Sequence, residues 1–280
     1  MEDSVKQIVH DAIVKIIHDT ASERNIERSV RLHESKIHFI PTRYRVLGGL
    51  LQSLNIKFGN FIEELIALVV ERDTKVEALP FSGKRIRFST TEETDALIDR
   101  YITSRQLPDS PDKCDDLFEA LLKDIVRIET QSSGEKQLIT RDIDALFKPS
   151  KDQIVYLEIK YNDDHDTGKF VDINRKFIKT YAGLVNLLGI TDYTRLKPIL
   201  YYFNPIKRWG PIYTPSSNIY RGSQLFDEYF ETKFSDVDSY LRKLGDDPTI
   251  ISIFDEIYNA IRHGNSRITS IESKLYNESS

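Results

Sequence analysis

Residues 154–160 read Ile-Val-Tyr-Leu-Glu-Ile-Lys, the apolar run of a buried strand that nonetheless carries two charges. Side chains alternate across a strand, so Glu158 and Lys160 share one face while Val155, Leu157 and Ile159 fill the other. Fourteen residues before Glu158, the segment Arg-Asp-Ile-Asp-Ala-Leu-Phe at 141–147 does something similar with Asp144. Charges in such a setting are costly unless they coordinate or catalyse. A carboxylate, a spacer and then Glu-x-Lys at the end of an apolar strand can build a divalent-metal site with a lysine beside the attacking water. The Glu-x-Lys tripeptide alone is common, and on most strands it is a salt-bridged surface face. Asp144 upstream, the apolar flanks of both strands and a basic helix directly afterwards move the balance toward chemistry.

The rest of the chain sets the frame. Its 280 residues, 40% hydrophobic and 30% charged, can bury a full core and fit an ordinary globular protein rather than a disordered or fibrous one. One domain, 1–280, is expected, with local elaborations. No stretch approaches the roughly eighteen apolar residues that span a bilayer. The first residues lack the basic start and apolar run of a signal peptide, and Cys114 stands alone, so neither a disulfide framework nor a cysteine zinc site is available. A reducing cytoplasm is the expected compartment. A net charge of −5 does not advertise a nucleic-acid binder, although acidic metal ligands lower the total without removing a local basic cleft.

Hydrophobic periodicity predicts a helix over 5–21, a less regular stretch to Pro41, a Gly-punctuated apolar segment over 47–58, and a helix over 60–72 capped by Asn60. A short strand over 85–88 follows, then helices over 91–103 and 111–128, the second opened by Ser110 and Pro111. A polar turn with Gly134 leads into the two charged strands, 137–147 and 154–160, joined as a hairpin through Pro149. After a polar loop, 170–188 shows a helical stripe (Phe170, Ile173, Phe177, Tyr181, Leu184) ended by Gly189. A strand over 197–204, a Pro-rich irregular stretch over 207–221 and helices over 223–233, 237–243 and 248–262 complete the chain. Strands interleaved with helices predict an α/β domain, a mixed central sheet between helical layers.

Hydrolysing a phosphodiester needs a positioned water, neutralised phosphoryl oxygens and help for the leaving oxygen, much of which a divalent metal on acidic ligands supplies. Asp144 and Glu158, on paired strands, are the expected ligands, with the Ile159 carbonyl as a third. Oxygen donors without His or Cys favour a hard cation, Mg²⁺ above all. Lys160 is placed to orient a water or stabilise its hydroxide form, and a crowded cationic site can depress a lysine pKa. In the helix that follows, Arg175, Lys176 and Lys179 lie off the apolar stripe, where they can meet DNA phosphates. Lys207 and Arg208 sit in a loop of aromatics, amides and cations suited to base-edge contacts.

Asp144 followed by Glu158-Ile159-Lys160 resembles the PD-(D/E)xK nuclease superfamily, and the surroundings resemble its type II restriction endonuclease branch. The leading proline is absent, leaving Asp142 and Asp144 as alternatives for the first ligand; the apolar Ala145-Leu146-Phe147 favours Asp144. The superfamily often adds a glutamate from a preceding helix, and the segment around Phe61-Ile62-Glu63-Glu64 is similar to that helix, with Glu63 first and Glu64 in reserve. As architecture the likeness spans about 58–204, with helical additions at both ends. Residues 158–169 and the helix after them are most similar to the HinfI-type group, which implies double-stranded GANTC sites cut by a homodimer. A homodimer also follows from chemistry: one site per chain cuts one strand, and a two-fold-symmetric target needs two copies. The rivals are a repair, resolvase or nicking nuclease with the same core, and a non-catalytic DNA-binding or interaction module in which Glu158 and Lys160 form a structural ion pair. Asp163 to Gly168 imitates a calcium loop but has the wrong residues at its ligand positions, and reads as a solvated turn.

Overall fold

The computed structural model describes residues 3–106, 114–131, 136–150 and 152–263. In chain order these form α1 (Asp3–Thr20), α2 (Glu23–Glu34), α3 (Thr42–Arg72), β1 (Glu77–Ala78), β2 (Lys84–Thr91), α4 (Glu92–Arg105) and α5 (Cys114–Gln131). There follow β3 (Lys136–Ile143), β4 (Ala145–Ser150), β5 (Gln153–Lys160), α6 (Thr167–Leu188), β6 (Leu196–Tyr202) and β7 (Ile219–Arg221), then α7 (Ser223–Tyr229), α8 (Phe234–Gly245) and α9 (Pro248–His263). The chain divides into two compact units, residues 62–234 and the two chain ends, 1–61 with 235–280. Among the described residues no helix is long and apolar enough to cross a membrane.

The 62–234 unit is built on a five-stranded sheet in the order β1-β4-β5-β6-β7. The β1–β4 and β4–β5 pairs are antiparallel; β5–β6 and β6–β7 are parallel. This is the mixed sheet that the sequence predicts. A hairpin reverses the chain between β4 and β5, while α6 carries it across from β5 to its parallel neighbour β6, as a parallel connection requires. Strand β5 lies inside the sheet and is buried from Val155 to Ile159. Against one face, Ile98 of α4, Phe118 and Ile125 of α5, and Phe177 and Tyr181 of α6 pack with Tyr156 and Leu200. On the β4 strand, Phe147 meets Tyr229 and Phe230 edge-on or tilted, each at a ring-centroid distance of 5.5 Å.

Helix α6 begins where Asp166 accepts a hydrogen bond from the Lys169 amide at 2.8 Å, and ends at Gly189, whose φ of +63° suits glycine. Its middle is pressed by the antiparallel β2–β3 pair. A Cβ added at Gly183 would lie 1.9 Å from the Phe88 ring, so only glycine fits there.

In the unit formed by the chain ends, the apolar rows of α1, α2, α8 and α9 bury Val9, Ile17, Ile26, Val237, Ile253 and Ile257. The Tyr240 hydroxyl donates to the Lys6 carbonyl at 2.6 Å.

Several elements differ from the sequence expectation. The stretch before Pro41 contains a further helix, α2, whose polar composition hides its single buried position, Ile26. Residues 47–58 and 60–72 belong to one 31-residue helix, α3, so Asn60 is not a cap. Glycine inside a helix costs about 1 kcal/mol against alanine, a penalty that does not stop a helix with buried apolar residues such as Val46, Leu50, Ile62 and Ile66. The expected strand over 137–147 is two strands in two sheets, with a bend at Asp144. Within the irregular 207–221 stretch, residues 219–221 form β7. The Ser110–Pro111 start, the Gly134 turn and the tail after Gly264 lie outside the described residues.

Candidate active site

The bend between β3 and β4 turns the Asp144 carboxylate toward β5, where its Oδ2 accepts a hydrogen bond from the Ile159 amide at 2.7 Å. The register Ala145↔Leu157 places Asp144 beside Glu158. Period-two alternation brings Lys160 to the same side, with its Nζ 2.9 Å from Glu158 Oε1 and 3.6 Å from Asp144 Oδ2. Helix α3 supplies Glu63, whose Oε1 lies 3.4 Å from the same ammonium. Lys160 also donates to the Ile159 carbonyl. From α6, Lys176 donates to Glu158 Oε1 at 2.8 Å, and from two residues earlier on β5 the Tyr156 hydroxyl donates to Oε2 at 3.0 Å.

The cluster is graded in its access to water. The Glu158 side chain is 0% exposed and Asp144 3%, Lys160 17%, Glu63 and Lys176 34% each. Burial, together with the neighbouring Glu158 charge, pushes the Asp144 carboxyl up to about 8. Burial likewise raises Glu63 against the pull of Lys160. For Glu158 burial acts in the same direction, but Lys160 and Lys176 outweigh it and hold the carboxyl below its ordinary range. Burial would lower the Lys160 ammonium; Glu158, Asp144 and Glu63 instead raise it well above a free lysine. Without an ion, acids and not cations crowd this lysine, and the direction of its shift is upward, opposite to the depression expected of a crowded cationic site.

The sequence candidates divide clearly. Asp144, Glu158, Lys160, the Ile159 carbonyl and Glu63 come together. Asp142 does not: it points outward from β3, 4.0 Å from Arg85. Glu64 is exposed on α3. Of the basic residues of α6, Lys176 joins the cluster, whereas Arg175 pairs with Asp99 at 2.9 Å and Lys179 with Asp95 at 3.1 Å, both acids of α4. Lys207 and Arg208 are exposed.

Two features lay outside the sequence expectation. Tyr156 was legible in principle, since alternation puts it on the Glu158 face. Asp163, expected in a solvated turn, is 3% exposed. Its carboxylate accepts from the Arg208 and Trp209 amides at 3.0 Å and pairs with Arg221 at 2.7 Å. Burial opposes ionisation here too, yet those amides and Arg221 hold the carboxyl below its ordinary range. Arg221 lies 4.5 Å from the centre of the Tyr202 ring, and Trp209 stacks on Phe170 at 4.9 Å, so the loop carrying Lys207 and Arg208 is tied down on the sheet side.

Three carboxylates and a backbone carbonyl already surround one cation, the Lys160 ammonium, and such oxygen donors fit a hard divalent ion. Among the described residues no three His, Cys, Asp or Glu side chains form a metal cluster by themselves. An ion here would therefore rest on Asp144, Glu158, the Ile159 carbonyl and water.

A mixed sheet bearing this acid–acid–lysine cluster at a strand end has the form of a restriction-endonuclease-like core. Residues 1–245 match the family described as type II restriction endonuclease, HinfI. The type II restriction enzyme HinfI of Haemophilus influenzae is 42% identical over 265 residues, covering 93% of this chain and 98% of that protein. No solved structure matches significantly. The chain belongs to the HinfI family of type II restriction endonucleases. It is a site-specific deoxyribonuclease with DNA as substrate.

Proposed function

We propose that the enzyme hydrolyses phosphodiesters of double-stranded DNA with Mg²⁺ held by Asp144, Glu158 and the Ile159 carbonyl, and with Glu63 as an additional acid at the rim. The observation that carries this is the convergence of three carboxylates on one ammonium, with Glu158 wholly buried. The ion, when bound, supplies charge neutralisation and an activated water. Tyr156 fixes the Glu158 carboxylate from behind, and the Ile159 amide fixes Asp144. Lys160, within 3.6 Å of all three carboxylates, is placed to hold and orient the attacking water and to stabilise its hydroxide form. Lys207 and Arg208, with Arg175 and Lys179 once their acidic partners release them, provide contacts to the DNA.

GANTC is the proposed recognition site, on the resemblance to the HinfI-type group. A homodimer is the proposed working form, since each chain carries one such cluster and a two-fold site has two strands. The proposed organisation is one nuclease domain over 1–280, and the proposed compartment is the cytoplasm, where cellular DNA is accessible.

The test is incubation of the purified chain with plasmid and phage DNA in Mg²⁺, beside Glu158→Ala and Lys160→Ala. Discrete fragments ending at GANTC and lost in both variants support the proposal. Nicking or smearing points to a repair-type nuclease, and DNA binding without cleavage to a non-catalytic module. Sedimentation of the protein with a GANTC duplex checks for two chains per site.

A further inference from the structure

Superfamily motifs of the Glu-x-Lys kind name one lysine; this site contains two. Lys176 Nζ lies 2.8 Å and Lys160 Nζ 2.9 Å from the same oxygen, Glu158 Oε1. They reach it from different elements, Lys160 from β5 and Lys176 from α6, so neither position is a by-product of the other. Lys176 is also unlike its basic neighbours on α6, which face the acids of α4. Its side chain is 34% exposed, against 17% for Lys160 and 0% for Glu158, so it spans from the deepest acid of the cluster to the surface from which DNA must arrive.

Building on the metal-dependent nuclease proposed above, we propose that Lys176 is a second catalytic lysine, held on Glu158 in the free enzyme and transferred to a non-bridging oxygen of the scissile phosphate when the ion and DNA bind. Three considerations support it. A carboxylate oxygen that ligates a divalent ion cannot keep two ammonium groups at hydrogen-bond distance, because the cations repel one another in a poorly solvated site. Of the two, the more exposed lysine, on a long flexible stem, is the one free to leave. The charge also balances. Once an ion is bound and all three carboxyls are ionised, three carboxylates, two ammonium groups and a divalent ion sum to one unit positive, which a phosphodiester monoanion neutralises. Without Lys176 the loaded site would carry no net attraction for the phosphate.

Lys176→Met and Lys176→Arg separate this role from structural support. Three measurements are needed: Mn²⁺ binding to the DNA-free protein by titration calorimetry, GANTC-duplex affinity without divalent ion, and single-turnover cleavage in Mg²⁺. For Lys176→Met the expected results are Mn²⁺ affinity raised by up to about tenfold, because a competitor for Glu158 is gone; DNA affinity changed by less than about threefold; and cleavage slowed about 100-fold. Lys176→Arg should restore part of the rate. Unchanged cleavage would overturn the proposal. So would weakened Mn²⁺ binding alongside slow cleavage, which marks a mere prop for Glu158, or a rate loss matched by an equal loss of DNA affinity, which marks an ordinary backbone contact. Wild-type protein that fails to cleave, or cleavage that survives Glu158→Ala, would instead refute the underlying metal-site proposal.

Discussion

Asp163 and Glu158 stand five residues apart in the chain, and both are almost wholly hidden from water, at 3% and 0% exposure. Their surroundings differ in kind. Asp163 is answered by backbone amides and a single guanidinium, with no other acid in its bonding set. Asp73 is built the same way, accepting from the amides of Lys75, Glu231 and Thr232, and its carboxyl is likewise held low by those bonds against the cost of burial. Glu158 shares one of its donors, Lys160, with Asp144 and Glu63, and one member of that group, Asp144, is raised to about 8. Burial alone therefore does not distinguish an anchor from a reactive centre. Several acids sharing one ammonium do, because such a group is left wanting a further cation.

Alanine at each position should separate the two kinds of site most sharply. Glu158→Ala is expected to lower cleavage by about 100-fold or more while the protein still folds. Asp163→Ala removes the acceptor of two amides and the carboxylate partner of Arg221, and is expected to cost about 3 kcal/mol of stability, read by urea unfolding. If Asp163→Ala were as stable as wild type, the anchor role would be wrong.

The pH dependence of stability should also have opposite signs at the two kinds of acid. Asp163 and Asp73 are depressed in the fold, so their contribution is present above an unfolded pKa near 3.9 and is lost as acid takes the pH through their folded values. Asp144 is raised, so between about pH 4 and 8 the folded state binds a proton that the unfolded state has released, and metal-free stability declines as pH rises. Melting curves without divalent ion should show that decline in wild type and lose most of it in Asp144→Asn. A smaller contrast concerns α3: Glu64→Ala should leave cleavage within about twofold, as for an exposed residue, whereas Glu63→Gln should slow it measurably.

What was legible in the sequence was whatever depends on near neighbours. Alternation along 154–160 placed Glu158 and Lys160 together, and the stripe from Phe170 to Leu184 defined the buried face of α6. The hairpin joining the two charged strands followed from their spacing and the turn. What escaped depends on distant partners. Nothing local shows that β3 leaves the main sheet at Asp144, since its partner β2 lies some fifty residues earlier. The destination of Lys176 could not be separated from that of Arg175 and Lys179 without knowing that α4 offers acids to two of the three. Asp163 looked wet because its donors arrive from residues 208–221.

The antiparallel pairing of β4 with β5 has a consequence for how this protein can change over time. The acids face each other because Ala145 opposes Leu157 in a pairing that is regular as far as Phe147↔Val155, and an irregular step between Phe147 and Ser150 already takes up an extra residue near the turn. Residues could be gained or lost in the turn with little harm, so the count between the two acids is free to drift. One residue added within the regular stretch, 145–147 or 155–157, would by contrast rotate an acid into the apolar layer and abolish the site in a single step.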